Sequence, residues 1–196
     1  MVAYVFDNIL TRGMQAGQIP GRTRDARDWY RNAARNANVT PGRLIGQNTA
    51  KATTGTEPGS MMLFNYDPKL KGELPYYDTF PLIFVVGPAE DGFYGLNMHY
   101  LPYKQRAMLM DALYELTTNS RYDNSTRLRL SYQLLKKASS YKLFKPCFKH
   151  YLHSNVKSRK ILIDSVEWDI ALFLPIQRFQ KASASRVYSD SLRKAG

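Results

Sequence analysis

Apolar positions recur at helical spacing from the first residues onward. Val2, Val5, Phe6, Ile9 and Leu10 predict a helix over 2–15, interrupted by Gly17, Pro20 and Gly21. A second helix is predicted from about Arg24 to Ala37, with Thr23 as its N-cap and Asp25 complementing the positive first turn. Beyond alanines, its only large apolar residues are Trp29 and Tyr30, too few to bury a helix on its own. Phe6, Trp29 and Tyr30 are therefore expected to dock on a partner surface. From Asn38 to Ser60 no period holds, and Gly, Thr, Pro and Asn dominate, which is the composition of a linker or extended arm.

A different pattern starts at Met61. "MMLFNY" reads as a strand closed by Asp67-Pro68, and Phe80–Val86 is a continuous apolar run that should be covered on both faces. The cluster "GPAEDG" then turns the chain, and Phe93–Leu101 alternates as the returning strand of a β-hairpin. Pro102 opens a helix with Leu109, Ala112, Leu113 and Leu116 on one stripe. Asn124 or Ser125 caps the next, which buries Leu128, Tyr132, Leu135 and Ala138 and turns Arg127, Arg129, Lys136 and Lys137 outward. Residues Pro146–His153 are expected to form a short helix, "RKILI" a strand, "SVEWDIALFLP" a short helix or strand, and the end of the chain a polar tail. The expected architecture is α+β: a small antiparallel sheet or partly closed barrel flanked by three to four helices, with an extended N-terminal arm. Its expected divisions are an arm over 1–60, a core over 61–180 and a tail over 181–196.

Charge changes this picture more than composition does. The chain carries a net charge of +12, and residues 118–163 hold eleven Lys/Arg against one acid. Residues 57–117 hold four against eight, so the two signs are segregated along the chain. Strong positive balance favours nucleic acid, acidic membranes or acidic proteins as partners. One cysteine excludes an internal disulfide framework and fits folding in a reducing cytoplasm. "MVAYVFDNIL" lacks a basic n-region, and no run of eighteen apolar residues occurs, so neither a secretory signal nor a membrane span is expected.

The stretch "KPCFKHYLHSNVKSRK" concentrates five Lys/Arg, two His and the single Cys. Cys147, His150 and His153 at i, i+3, i+6 do not converge on one face of a helix, and a fourth ligand would have to come from distant His99, so no metal is expected. Cys147 reads as a small buried hydrophobe. No nucleophile elbow, phosphate-binding loop, dinucleotide fingerprint or HExxH motif occurs, so no enzyme and no cofactor are expected. From Arg121 to Lys160, cations alternate with Tyr122, Tyr132, Tyr141, Phe144, Phe148 and Tyr151. Cations neutralise phosphates and aromatic faces stack on unpaired bases, while an acidic protein partner fits the same surface. The candidate nucleic-acid contacts are Arg127, Arg129, Lys136, Lys137, Lys142, Lys145, Lys149, Lys157, Arg159 and Lys160.

At "YDPKLKGELPYYDTFPLIFVV", "GFYGLNMHYLP", "RYDNSTRLRLSYQLL", "FKPCFKHYL" and "EWDIALFLPIQRF" the sequence resembles a family of virion proteins of large contractile-tailed, T4-like phages. The resemblance spans nearly the whole chain, including "FDNILTRGMQAGQIPGRTRDARDWYR". Such proteins are commonly labelled DNA end protectors. The resemblance implies a virion component, present in the host cytoplasm during assembly, that caps packaged linear DNA at the head–tail neck beside other phage structural proteins. The alternative is a purely architectural tail or baseplate subunit that touches no DNA, and a weaker third reading is a nuclease acting on ends.

Overall fold

The computed structural model describes residues 4–117, 132–137, 142 and 144–195. Helices α1 (Val5–Gln15), α2 (Arg24–Arg35) and α3 (Pro41–Gln47) lead into a short strand β1 (Ala52–Thr53). Strands β2 (Met61–Leu63), β3 (Tyr77–Asp78), β4 (Leu82–Ala89) and β5 (Gly92–Asn97) follow, then helix α4 (Tyr103–Thr117). Residues 132–137 are helical (α5). The chain closes with β6 (Phe148–Leu152), β7 (Lys160–Ile163), α6 (Trp168–Phe173), β8 (Phe179–Gln180) and α7 (Ala184–Ala195).

The main sheet is antiparallel throughout, in the order β1-β7-β2-β4-β5-β6, and β3 and β8 form a separate two-stranded ribbon. It is an open sheet and not the partly closed barrel entertained as an option. Among the described residues its outer strands β1 and β6 do not pair with each other, and two-residue β1 is too short to carry a closing ladder.

The central strands are buried on both faces, as the unbroken apolar run of β4 requires. Met61, Leu63, Leu82 and Phe84 face the helices, and Met62, Phe64, Ile83 and Val85 face the other way. A bulge between Val85 and Gly87 resets the alternation and turns Val86 to the helical side. The second face is closed by two crossing segments. Asn65 O accepts from Lys157 N at 2.8 Å, Asn155 O accepts from Asp67 N at 3.0 Å, and Val156 packs on the apolar cluster beneath.

Thr23 does cap α2, accepting from Ala26 N at 3.1 Å. The partner of α2, however, is this chain itself. Tyr30 is 1% exposed and Phe6 is 1% exposed, both inside the main core, while Trp29 is half-buried against Tyr30. The correction has a clear cause: α1 and α6 supply the apolar surface that α2 lacks, and no second protein is needed to bury it. Gly13 permits the approach, since a Cβ there would collide with the Tyr30 ring. Arg31 then pairs with Asp169 and Asp111, each at 2.8 Å, so part of the polar surface of α2 is also consumed internally.

The stretch 38–60 differs from an extended arm. Thr40 accepts from Arg43 N, Pro41 opens α3, Leu44 is buried, and β1 joins the sheet against β7. Capping residues and a helix-opening proline share the composition of a linker, which is why the sequence alone predicts an arm. The polar tail is likewise structured as α7, with Val187 and Ser191 buried and Tyr188 accepting from the guanidinium of Arg106.

Candidate nucleic-acid interface

Where a helix is expected over 146–153, the structure has the strand β6 between two 3-10 turns. Pro146 sits in a single 3-10 turn that buries Cys147, after which β6 pairs with β5 in continuous register. Five residues, FKHYL, are too few for apolar spacing to choose a period, and here cross-strand pairing decides it. Tyr94 stacks on Phe148 with centroids 5.2 Å apart, and Phe93 stacks on Tyr151 at 5.6 Å. Gly92 lets β6 approach, because a Cβ there would meet the Tyr151 carbonyl.

The strand divides its side chains by face. Phe148 and His150 lie on the outer aromatic ladder with Tyr94, and His150 Nε2 meets Asp91 at 3.0 Å. Lys149 and Tyr151 point the other way. Lys149 Nζ lies over the Tyr100 ring, opposite Gly95, and meets no carboxylate among the described residues. Burial holds its ammonium below the ordinary lysine value, and the neighbouring Lys194 charge pushes in the same direction. Lys194, on the last turn of α7, lines one depression with Lys145 and Pro146.

The other candidate cations fare differently. Lys136, Lys137, Lys142, Lys145, Lys157 and Arg159 are exposed. Arg127 and Arg129 lie outside the described residues. Lys160 is a correction: it is 8% exposed, its Nζ donates to Thr54 O at 2.7 Å and lies over Phe93, so it serves the sheet edge. Charge alone places this lysine with the other cations, whereas its stem follows the apolar second face inward.

The distribution of ion pairs is uneven. Arg27, Arg31 and Lys51 in the N-terminal third meet Asp111, Asp169, Asp164 or Glu167. Lys142, Lys145, Lys149, Lys157, Arg159 and Lys160 meet no carboxylate among the described residues, and the one charged contact of the 142–160 stretch is His150–Asp91. The exposed members of this set, Lys142, Lys145, Lys157 and Arg159, present their charge to solvent and to any anion that approaches.

Beside Lys149 opens a cleft of about 180 Å³ between β5–β6 and the segment 66–78. Its walls are Tyr66, Tyr76, Tyr77, Tyr100 and Tyr151, and its floor holds Asp78 and Asn97. Of these tyrosines only Tyr151 stands out in the sequence, as one of the aromatics interleaved with the basic block. A count of fourteen tyrosines was the available signal, but residues so far apart in sequence show no pattern until the loop folds over the strands. Asp78 is fully consumed, accepting from Phe80 N, Arg178 N, Asn97 Nδ2 and His99 Nδ1. Burial would raise its pKa, but the adjoining imidazole and these bonds outweigh it and hold the carboxyl below its ordinary value. Burial lowers the pKa of His99, which is therefore neutral and donates from Nδ1.

As for a metal, Cys147 turns into the core, where burial pushes its thiol up to about 12, while His150 holds Asp91 and His153 lies against Phe93. Among the described residues no three His, Cys, Asp or Glu side chains gather to hold an ion. Among them, too, no helix is long and apolar enough to cross a membrane.

A protein-family model described as phage T4 terminal DNA protecting protein matches residues 21–192, which includes every element from α2 to β8 and most of α7. No curated protein and no solved structure matches the chain.

Proposed function

The chain belongs to the phage T4 terminal DNA protecting protein family, and from that premise we propose that it binds the terminus of linear double-stranded DNA without cutting it. The surface is the cationic flank formed by α5, the turn before β6, β6 itself and the segment leading to β7. The observation that carries this reading is that, among the described residues, the cations of 142–160 meet no carboxylate, whereas Arg27, Arg31 and Lys51 do. Exposed cations on one continuous stretch of chain can meet successive phosphates and release their counterions. In the particle the chain sits at the head–tail neck, where a DNA terminus is held beside other structural subunits.

The test is anisotropy with a labelled blunt duplex across a salt series, comparing the parent with Lys145→Glu/Lys157→Glu/Arg159→Glu. The slope of log affinity on log salt should flatten by about 0.9 for each phosphate contact removed. Protection of the duplex from an added exonuclease should fall in parallel. Equal binding by both proteins at matched salt overturns the DNA reading. A density map of the intact particle that puts this subunit at the distal tail overturns the neck position and favours an architectural role.

A further inference from the structure

We propose that the tyrosine-walled cleft beside Lys149 receives the unpaired terminal base of the DNA end, with the adjoining phosphate held by Lys149, Lys145 and Lys194. This rests on the DNA-binding reading above and deepens it by naming the part of the ligand that each surface takes.

Four features of the cleft select this ligand. At about 180 Å³ it lies below the range of pockets for drug-sized ligands, and it suits one planar ring system better than a base pair. Its lining is aromatic: Tyr76 and Tyr100 touch, with centroids 6.0 Å apart at 39°, so a base stacks beside this pair and not between its rings, and Tyr100 is braced edge-on by Phe179 at 5.2 Å. Such faces stack on any base without regard to sequence, which suits a protein that must accept whatever end it meets. The third feature is the Tyr151 hydroxyl, which is fully buried, faces the Asn97 side chain and makes no hydrogen bond of ordinary geometry. An unpaired hydroxyl at this depth supplies one polar contact to the edge of an entering base.

The fourth feature is the mouth. Lys149 meets no carboxylate among the described residues, and Lys145 and Lys194 line the neighbouring depression. The one acid in the cleft, Asp78, is 4% exposed and has its oxygens occupied by four donors, so it presents little charge to a phosphate. A ring-faced slot with cations at its rim discriminates an end from the middle of a duplex, because only an end frays to offer a free base at low cost.

The experiment uses the full chain with two probes: a blunt linear duplex, and the same sequence sealed at both ends as a dumbbell. The parent should bind the open duplex about ten-fold more tightly than the sealed one. Tyr76→Leu and Lys149→Gln should bring that ratio close to one, and Tyr151→Phe, which removes one oxygen and keeps the packing, should reduce it about three-fold. A 2-aminopurine placed as the terminal base should change its emission on binding, and the same base well inside the duplex should not. Equal affinity of the parent for open and sealed DNA overturns the cleft proposal and leaves the DNA reading standing. Failure to bind either probe overturns the DNA reading, and the cleft proposal falls with it. An open-end preference that survives in all three variants places end recognition elsewhere and also overturns the proposal.

Discussion

The ammonium of Lys149 lies 4.2 Å from the centroid of the Tyr100 ring, and no carboxylate among the described residues meets it. An isolated, partly desolvated cation costs stability, and the ring face offsets only part of that cost. Lys149→Met should therefore raise stability at neutral pH by about 1 kcal/mol, or about 2–4 °C in melting temperature, while weakening DNA binding. The pH dependence has a definite sign. Because burial lowers the Lys149 pKa in the folded state, the unfolded chain binds the extra proton, and the penalty is full below the folded value and relieved as pH rises through it. The advantage of the methionine variant should shrink as pH approaches the unfolded lysine value of about 10.4. Melting curves at three pH values decide it, and a variant less stable than the parent at neutral pH would show that the charge is fully compensated.

Acid should destabilise the fold through Asp78 and His99. The pair is buried at 2.7 Å and joins the ribbon β3–β8 to the end of β5. His99 has a lowered folded pKa, so below about pH 6.5 the unfolded chain takes up a proton that the native state refuses, and stability falls. Asp78 is also lowered, and its contribution is present above the unfolded value of about 3.9 and lost as pH falls through the folded one. Between pH 6.5 and 5 the histidine acts alone, with a slope of at most about 1.4 kcal/mol per pH unit. Urea midpoints for His99→Gln should be flat over that window where the parent declines.

Arg31 is 4% exposed and bridges Asp169, Asp111 and Asp28 across α2, α4 and α6. Arg31→Met should cost about 3–5 kcal/mol, since it leaves the Asp169 charge buried without its partner. Adding Asp169→Leu should recover most of the loss, because two apolar groups of similar shape need no compensation. Denaturant melts of the two variants settle this. A double variant as unstable as the single one would locate the cost in packing against Phe173, over which the guanidinium lies at 5.5 Å.

Much of the fold was legible because its strongest signals are local. The apolar run of β4, the turn before β5, Thr23 at the start of α2 and Pro102 before α4 each specify one conformation through their own chemistry. What stayed hidden depends on distant partners. Tyr30 reads as an exposed docking residue until Gly13 makes room for its ring, and Pro146–His153 reads as a helix until β5 offers a ladder. The site split along the same line. The cationic block was visible as a run in the sequence, but its lack of carboxylate partners, the inward turn of Lys160 and the five-tyrosine cleft all arise from contacts that link residues far apart along the chain.

Lys181 offers the sharpest test of how the cleft is held open. It follows β8 with φ at 67°, in the left-handed region, and its Nζ donates to the carbonyls of Lys71, Gly72 and Leu74 at 2.6, 3.1 and 3.0 Å. That cross-link ties the loop before β3 to the ribbon, and the same loop carries Leu74, Tyr76 and Tyr77 into the cleft wall. Two substitutions separate backbone from ammonium. Lys181→Ala keeps the left-handed cost of about 1–2 kcal/mol and loses the three bonds, whereas Lys181→Gly relieves the backbone and loses the same bonds. Both should expose the 69–74 loop to limited proteolysis several-fold faster than in the parent, and the glycine variant should be the more stable of the two. If neither variant changes the cleavage rate, the ammonium does not hold the loop, and the tyrosine wall is set by the β3–β8 pairing alone.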